Sequence, residues 1–111
     1  MINYFNVIYS DEVEEFLDSL ENKVRLKIIY NIDKARINLD PELFRKLDAD
    51  IWEFRTKYNR KQYRLLAFWD KRKPVETLVI ATHGFLKKTK KTPKSEMDKA
   101  RKIMEIYFNT M

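Results

Sequence analysis

Two consecutive segments of the chain carry cationic side chains at spacings that could bind a phosphate group. Arg55 and Lys57 are two residues apart in a segment that alternates aromatic and charged residues, so they share one face of a predicted strand. Arg64 can join them if the register of the next strand allows it. Guanidinium groups bind phosphate through paired hydrogen bonds, so the three cations predict a phosphate clamp. Alternatively, Arg55 forms a surface ion pair with Glu53 or with acidic residues of a helix.

The single histidine lies directly before a lysine-rich segment. The ordinary pKa of a histidine, about 6.5, makes His83 a candidate for proton transfer at cellular pH. A lone histidine can equally be a packed, hydrogen-bonded group, and nearby cations would disfavour its protonation. The lysines that follow could bind the phosphates of a nucleic acid or could simply be solvated. They are Lys87, Lys88, Lys90, Lys91 and Lys94.

Aromatic and basic residues also surround the predicted turn between the two strands. Tyr58 and Tyr63 flank Arg60 and Lys61. Aromatic rings can stack on unpaired bases, and exposed cations attract a phosphate backbone. These residues are therefore candidates for contacts with a nucleic acid.

Charge is distributed unevenly along the chain. Residues 1–50 contain 7 Lys and Arg against 11 Asp and Glu, which gives −4, whereas residues 51–111 contain 16 against 6, which gives +10. The pattern predicts an acidic structural half and a basic half that faces a polyanion. The alternative, a merely solvated basic surface, is disfavoured because the cations cluster with aromatic residues and a histidine.

Composition narrows the class of protein. A chain of 111 residues, 44% of them hydrophobic, predicts one domain over residues 1–111 with one modest core. The chain has no cysteine and one histidine, so no disulfide, metal or other cofactor is expected. Neither a secretion signal nor a long apolar stretch is present, so we expect a cytoplasmic protein that does not bind membranes.

Patterns of apolar residues predict seven elements. Period-two and apolar runs indicate strands at residues 4–9, 52–58, 62–69 and 76–85. Two amphipathic helices form a hairpin between Asp11 and Leu39 and stop at Asp40-Pro41. The segment with Leu43, Phe44 and Leu47 is predicted to be a connector. A C-terminal helix is predicted with Thr92 as its N-cap and Pro93 as its first residue.

This α+β order, β-α-α-β-β-β-α, has an antiparallel sheet core, an N-terminal helical hairpin and a C-terminal helix. It resembles the RelE/ParE toxin fold. The segments IWEFR (51–55), YR (63–64) and HGFLKKTKKTP (83–93) are similar to the HigB-like, phage-related branch of that superfamily. The resemblance covers essentially the whole chain.

The resemblance implies the toxin of a type II toxin–antitoxin system. Such a toxin is a metal-independent endoribonuclease, an mRNA interferase, that cleaves mRNA on the ribosome and is neutralised by a cognate antitoxin protein. RelE-like toxins use Arg, Lys, Tyr and sometimes His to move protons and to stabilise charge at the phosphate. The implied catalytic residues are Arg55, Arg64, His83, Lys87 and Lys88. The implied RNA-binding residues are Lys57, Arg60, Lys61, Tyr63, Lys90, Lys91 and Lys94.

Two other functions fit the same sequence. ParE-like members of the superfamily are not nucleases and act on DNA gyrase. Arg55, Arg64, His83 and the lysine-rich segment argue against that function here. The chain could also be a non-catalytic, phage-related protein that binds nucleic acid, because a fold alone does not determine activity.

Overall fold

The computed structural model describes residues 3–73 and 77–110, which contain five strands and three helices. In chain order these are β1 (Asn6–Tyr9), α1 (Asp11–Asp18), α2 (Asn22–Asn38), β2 (Phe44–Lys46), β3 (Trp52–Tyr58), β4 (Lys61–Asp70), β5 (Leu78–Lys87) and α3 (Lys94–Thr110). The fold class is therefore α+β, with both predicted N-terminal helices and the predicted C-terminal helix present. Pro74 in the predicted turn and Glu76 at the start of the last predicted strand lie outside the described residues.

The strands form one mixed sheet in the order β1-β5-β4-β3-β2. Strand β1 runs parallel to β5, while the pairs β5–β4, β4–β3 and β3–β2 are antiparallel. The core of the sheet is thus antiparallel, and the first strand adds a parallel edge. A register shift between Leu66 and Ala67 interrupts the β4–β5 pairing.

Strand β2 lies in the segment for which the sequence pattern predicts a connector. Phe44 pairs with Phe54 of β3, and Arg45 pairs with Glu53. Only three residues take part, which is too few for an alternating pattern to be recognised. The alternation is nevertheless real, since Phe44 is buried while Arg45 projects from the other face.

Helices cover both faces of the sheet. Helices α1 and α2 pack on one face, where residues such as Val13, Ile28, Ile32, Phe54 and Leu65 form the main core. Helix α3 packs on the opposite face across β4 and β5, where Ile51, Leu66 and Ala100 form a second cluster. Burial of apolar area on this scale is the main stabilising contribution to a domain of this size.

Helix α1 is fixed to β5 by a cap and by a close contact. Ser10 is the N-cap of α1: its hydroxyl accepts a hydrogen bond from the Val13 N–H and donates one to the Thr82 carbonyl, at 3.1 and 2.8 Å. On β5, a Cβ added to Gly84 would lie 2.3 Å from Cδ2 of Phe16. Glycine at position 84 therefore lets the Phe16 ring lie directly on the strand.

Helix α3 begins slightly later than predicted. It starts at Lys94, and the Pro93 carbonyl accepts the first hydrogen bonds, from the N–H groups of Glu96 and Met97. The Thr92 hydroxyl donates to Glu53 on β3. None of the helices in the described ranges combines the length and apolarity that crossing a membrane requires.

Candidate anion-binding site

A buried carboxylate lies at the centre of the basic face of the sheet. Glu53 on β3 has no exposed surface, and three arginines surround it. Its Oε2 atom lies 3.6 Å from Arg45 Nε and 3.7 Å from Arg55 Nε, and its Oε1 atom lies 3.3 Å from Arg64 Nε. We refer to Glu53, Arg45, Arg55 and Arg64 as the arginine cluster.

Strand register explains why these residues meet. Arg45 on β2 is opposite Glu53 on β3, and Arg55 on β3 is directly opposite Arg64 on β4. Because side chains alternate along a strand, all four project from the face that bears α3. The register on which the predicted clamp of Arg55, Lys57 and Arg64 depended is therefore present, with Lys57 opposite Gln62 at the outer end of the hairpin.

Two further groups, from the end of β5 and from the loop after it, lie next to the arginine cluster. The Thr92 hydroxyl donates a hydrogen bond to Glu53 Oε1 at 3.0 Å. Lys87 is opposite Gln62 in the next row of the sheet. Burial, followed by the positive charge of Arg64, lowers the pKa of Lys87, although Glu53 opposes the change. The lysine thus lies within electrostatic reach of the cluster.

The cluster and the neighbouring Lys87 carry an excess of positive charge. Three arginines pair with the carboxylate of Glu53, and Lys87 lies within its electrostatic reach, which gives four positive charges against one, or +3. Burial is the main cause that lowers the pKa of Arg64, with Glu53 opposing it. A buried carboxylate between arginines holds their guanidinium groups in place, and removing one member of such a group leaves the others uncompensated.

The arginines differ in how much they expose. Arg64 is almost fully buried, and its terminal nitrogens donate to the Tyr63 carbonyl and to Gln62 Oε1, both at 3.0 Å. The side chains of Arg45 and Arg55 are 49% and 27% exposed. Arg64 therefore lies on the buried side of the cluster, whereas Arg45 and Arg55 are exposed enough to contact a ligand from solvent.

The contacts inside the cluster are ion pairs rather than well-formed hydrogen bonds. In the described part of the chain, the buried Nε atoms of Arg55 and Arg64 and the Oε2 atom of Glu53 make no hydrogen bond, although the two Nε atoms lie 3.7 and 3.3 Å from the Glu53 carboxylate. A buried donor without an acceptor costs free energy. Because these Nε atoms face Glu53, an oxyanion at the cluster would be bound by the more exposed parts of Arg45 and Arg55.

A groove of about 530 Å³ opens beside the cluster, between α2 and the β3–β4 hairpin. Helix α2 contributes Lys27, Asn31 and Lys34 to its wall. The hairpin contributes five residues, which are Arg55, Thr56, Lys57, Gln62 and Arg64, and the segment before β2 contributes Glu42 and Leu43. The groove thus extends the positive surface from the cluster toward α2.

His83 lies apart from the arginines, beneath α3. His83 on β5 is opposite Leu66 on β4, and Leu66 is opposite Glu53 on β3. Two strand spacings therefore separate the backbones at His83 and Glu53, a distance of about 10 Å. The side chain of His83 is 2% exposed. Its ring nitrogens contact Thr82 Oγ1 at 3.0 Å and Glu96 Oε1 at 3.2 Å. Burial, followed by the charge of Lys99, lowers the pKa of His83, while Glu96 opposes this change.

The remaining predicted residues fall into two groups. Most are exposed cations around the groove and the loop after β5: Lys57, Arg60, Lys61, Lys88, Lys90, Lys91 and Lys94. Lys94 forms an ion pair with Asp98 at 3.2 Å. Tyr63 is different, because it is only 7% exposed and belongs to the core under α2. Its ring therefore lies on the opposite face from the arginine cluster.

Sequence reasoning missed Arg45 and Thr92 and left the role of Glu53 open. Arg45 was overlooked because β2 was not recognised, although the apolar–basic pair Phe44-Arg45 was a signal. Thr92 was interpreted only as a helix cap. The charged face of β3 was expected to face solvent, whereas Thr92 and the arginines enclose Glu53.

A comparison with known protein families shows the family to which the chain belongs. Residues 15–105 match the family described as "Phage derived protein Gp49-like". Because the match spans most of the chain, the protein belongs to this family, which is related to the RelE/HigB-like toxins. Comparison with curated proteins gives no match.

Proposed function

We propose that this protein is a toxin that cleaves mRNA at the ribosome, an endoribonuclease that needs no metal ion. The observation that carries the proposal is the arginine cluster, in which a fully buried Glu53 holds three arginines on an otherwise open basic face. The membership in a toxin-related, phage-derived family supports it independently.

The arginine cluster suits the charge that develops during RNA cleavage. The ribose 2′-hydroxyl gives up its proton to water as its oxygen attacks the adjacent phosphorus, and the bond from phosphorus to the 5′-oxygen breaks. Negative charge accumulates on the non-bridging oxygens during this step. Arg45 and Arg55 are exposed enough to bind those oxygens, and Glu53 holds both through their Nε atoms. Guanidinium groups fixed before the reaction stabilise the transition state more than mobile ones, because no reorganisation is needed.

Lys87 is the proposed proton donor to the leaving 5′-oxygen. Its pKa is lowered by burial and by Arg64, which makes its ammonium group a stronger acid than an ordinary lysine. It is at the end of β5, in the row next to the arginines. Arg64 acts as a positioning residue, since both of its terminal nitrogens are already engaged.

The exposed lysines have a different proposed role. Lys88, Lys90 and Lys91 follow β5 without entering the cluster, so they suit contacts to ribosomal RNA that do not depend on sequence. His83 remains a predicted catalytic residue, and in this structure it also joins β5 to α3 through Glu96. The proposed antitoxin would neutralise the basic face with acidic side chains.

Induced expression tests the proposal and separates it from action on gyrase. Wild-type protein, made without an antitoxin, should arrest growth and stop amino-acid incorporation before DNA synthesis slows. The double variant Arg45→Ala/Arg55→Ala should grow normally. Lys102→Ala, which removes an exposed lysine of α3 outside the cluster, is the matched control and should remain toxic.

The opposite order of events would contradict the proposal. If DNA synthesis stops first, a ParE-like function is supported. If folded wild-type protein accumulates without arresting growth, a non-catalytic nucleic-acid-binding protein is supported.

A further inference from the structure

A second groove, lined by aromatic rings, lies at the β2 edge of the sheet. It has a volume of about 500 Å³, and its aromatic lining consists of Phe44, Trp52 and Trp69. The Phe44 and Trp52 rings are stacked with centroids 4.9 Å apart, and Trp69 meets Trp52 edge-on at 5.4 Å. We call this the aromatic groove.

The rim of the aromatic groove is basic. Arg45, Lys46 and Lys71 line it, and none of the described residues in its lining is acidic. The Lys71 ammonium group lies 4.9 Å from the centroid of the Trp69 ring. Aromatic surface bordered by cations complements a flat, electron-rich ring that is attached to an anionic backbone.

Arg45 connects the aromatic groove to the arginine cluster. It lines the groove and also pairs with Glu53 at 3.6 Å. Strand β2 is only three residues long and is the edge strand of the sheet, so one side chain can serve both sites. The rings of the groove lie on the face that bears α1 and α2, whereas the cluster lies on the face that bears α3. A nucleic-acid strand with a phosphate at Arg45 would therefore pass around the β2 edge to bring a neighbouring base to the groove.

One polar atom of Trp69 also lacks a partner. In residues 3–73 and 77–110, the Nε1–H group of Trp69 is buried and has no hydrogen-bond acceptor. Buried indole N–H groups normally find an acceptor. A base that stacks on Trp52, which meets Trp69 edge-on, would offer this group a carbonyl or ring-nitrogen acceptor once the indole shifts to expose it.

We propose that the aromatic groove binds one unpaired base of the RNA whose phosphate is held at the arginine cluster. This inference rests on the proposed function. The base stacks on the indole surface of Trp69 or Trp52 and displaces the Lys71 ammonium group from the ring, which leaves that lysine free to pair with a phosphate. An acidic peptide would also suit the basic rim, but the continuity with the arginine cluster favours RNA.

Intrinsic fluorescence tests the proposal directly, because Trp52 and Trp69 are the only two tryptophans of the chain and both line the groove. The probe is a short 2′-O-methyl oligoribonucleotide, which cannot be cleaved through its 2′-oxygen. Tryptophan emission should fall as the probe binds, in parallel with the anisotropy of a dye at its end. An abasic probe of the same length and charge should bind about tenfold more weakly and leave the emission unchanged.

Variants assign the signal. Trp52→Phe and Trp69→Phe each keep an aromatic ring and leave a single reporter, so at least one of them should retain the quenching. Arg55→Ala should weaken both probes to a similar extent, because it removes a phosphate contact and leaves the groove intact. Lys102→Ala should bind both probes like the wild type.

The possible failures are distinguishable. Equal affinity for both probes, or binding without a change in emission, would overturn the base-binding groove while leaving the proposed function intact. Absence of binding by either probe would count against both proposals. Quenching by a glutamate-rich peptide but not by the oligonucleotide would reassign the groove to a protein partner.

Discussion

At the scale of single residues, Glu53 is the centre of the candidate site. Its carboxylate is enclosed by Arg45, Arg55 and Arg64 and accepts a hydrogen bond from Thr92. A charge in this position can be maintained only because it is paired on every side. We therefore regard Glu53 as the residue that fixes the geometry of the site, rather than as the base that removes a proton.

Replacing Glu53 with glutamine should destabilise the protein. The change keeps the shape of the side chain but leaves three arginines close together without a counter-charge. The free energy of unfolding should fall by about 3–5 kcal/mol, measured by urea denaturation. Glu105→Gln, at an exposed position of α3, is the control and should stay within about 0.5 kcal/mol of the wild type. A wild-type stability for Glu53→Gln would show that the carboxylate does not organise the arginines.

His83 should give the protein a measurable sensitivity to acid. Its pKa is lowered in the folded state, chiefly by burial, so the unfolded chain binds the proton more readily. The contribution of neutral His83 is fully present above its unfolded pKa of about 6.5 and is lost as the pH falls below that value. Urea denaturation between pH 7.5 and pH 5.5 should show this loss, and His83→Asn should show a smaller one. Parallel pH profiles would contradict the assignment.

The roles of the residues in the candidate site could be predicted only in part from the sequence. The alternation of β3 and β4 placed Arg55 and Arg64 on one face, and the register confirms that they can meet. The environment of Glu53 was not readable, because it depends on Thr92, which is 39 residues away in sequence. The burial of His83 depends similarly on Glu96, beyond an intervening loop.

At the scale of secondary-structure elements, the contact between α1 and β5 is especially close. Gly84 allows the Phe16 ring to lie on the strand, and Ser10 fixes the start of the helix to Thr82. The segment that contains His83-Gly84 therefore has a structural reason for its glycine that is independent of RNA chemistry.

Gly84→Ala should destabilise the fold by about 1–3 kcal/mol, because its Cβ would lie 2.3 Å from the Phe16 ring. Thermal and urea denaturation measure the effect. In the double variant Phe16→Leu/Gly84→Ala, the smaller side chain should recover part of the loss, so the two changes should not be additive. Additive effects would mean that Phe16 does not press on the strand.

Long, regular elements were predicted well and the short one was missed. Helix α2 and the β3–β4 hairpin have clear periodicities, and their positions agree with expectation to within one or two residues. Strand β2 exists because Phe44 packs onto the Phe54 and Trp52 rings, a tertiary contact that a three-residue pattern does not reveal. The same omission concealed Arg45, the residue that connects the arginine cluster and the aromatic groove.

At the scale of the whole molecule, the two faces of the sheet differ in charge and in the helices that cover them. Helices α1 and α2 supply most of the acidic residues of the first half and cover the main core, whereas the cations of the second half surround the open part of the opposite face. This separation agrees with the uneven charge of the sequence. It leaves one broad basic surface with the arginine cluster at its centre, which is suited to a large polyanion such as the ribosome with its mRNA.

The proposed activity is cleavage of translated RNA at the arginine cluster. Primer extension on a reporter mRNA in a cell-free translation system tests this activity most directly. Folded wild-type protein and the control Lys102→Ala should produce discrete cuts within the translated region. Arg55→Ala should reduce cutting by about 100-fold or more, because it removes one fixed donor to the reacting phosphate. An absence of cuts with folded wild-type protein, or undiminished cutting by Arg55→Ala, would contradict the account.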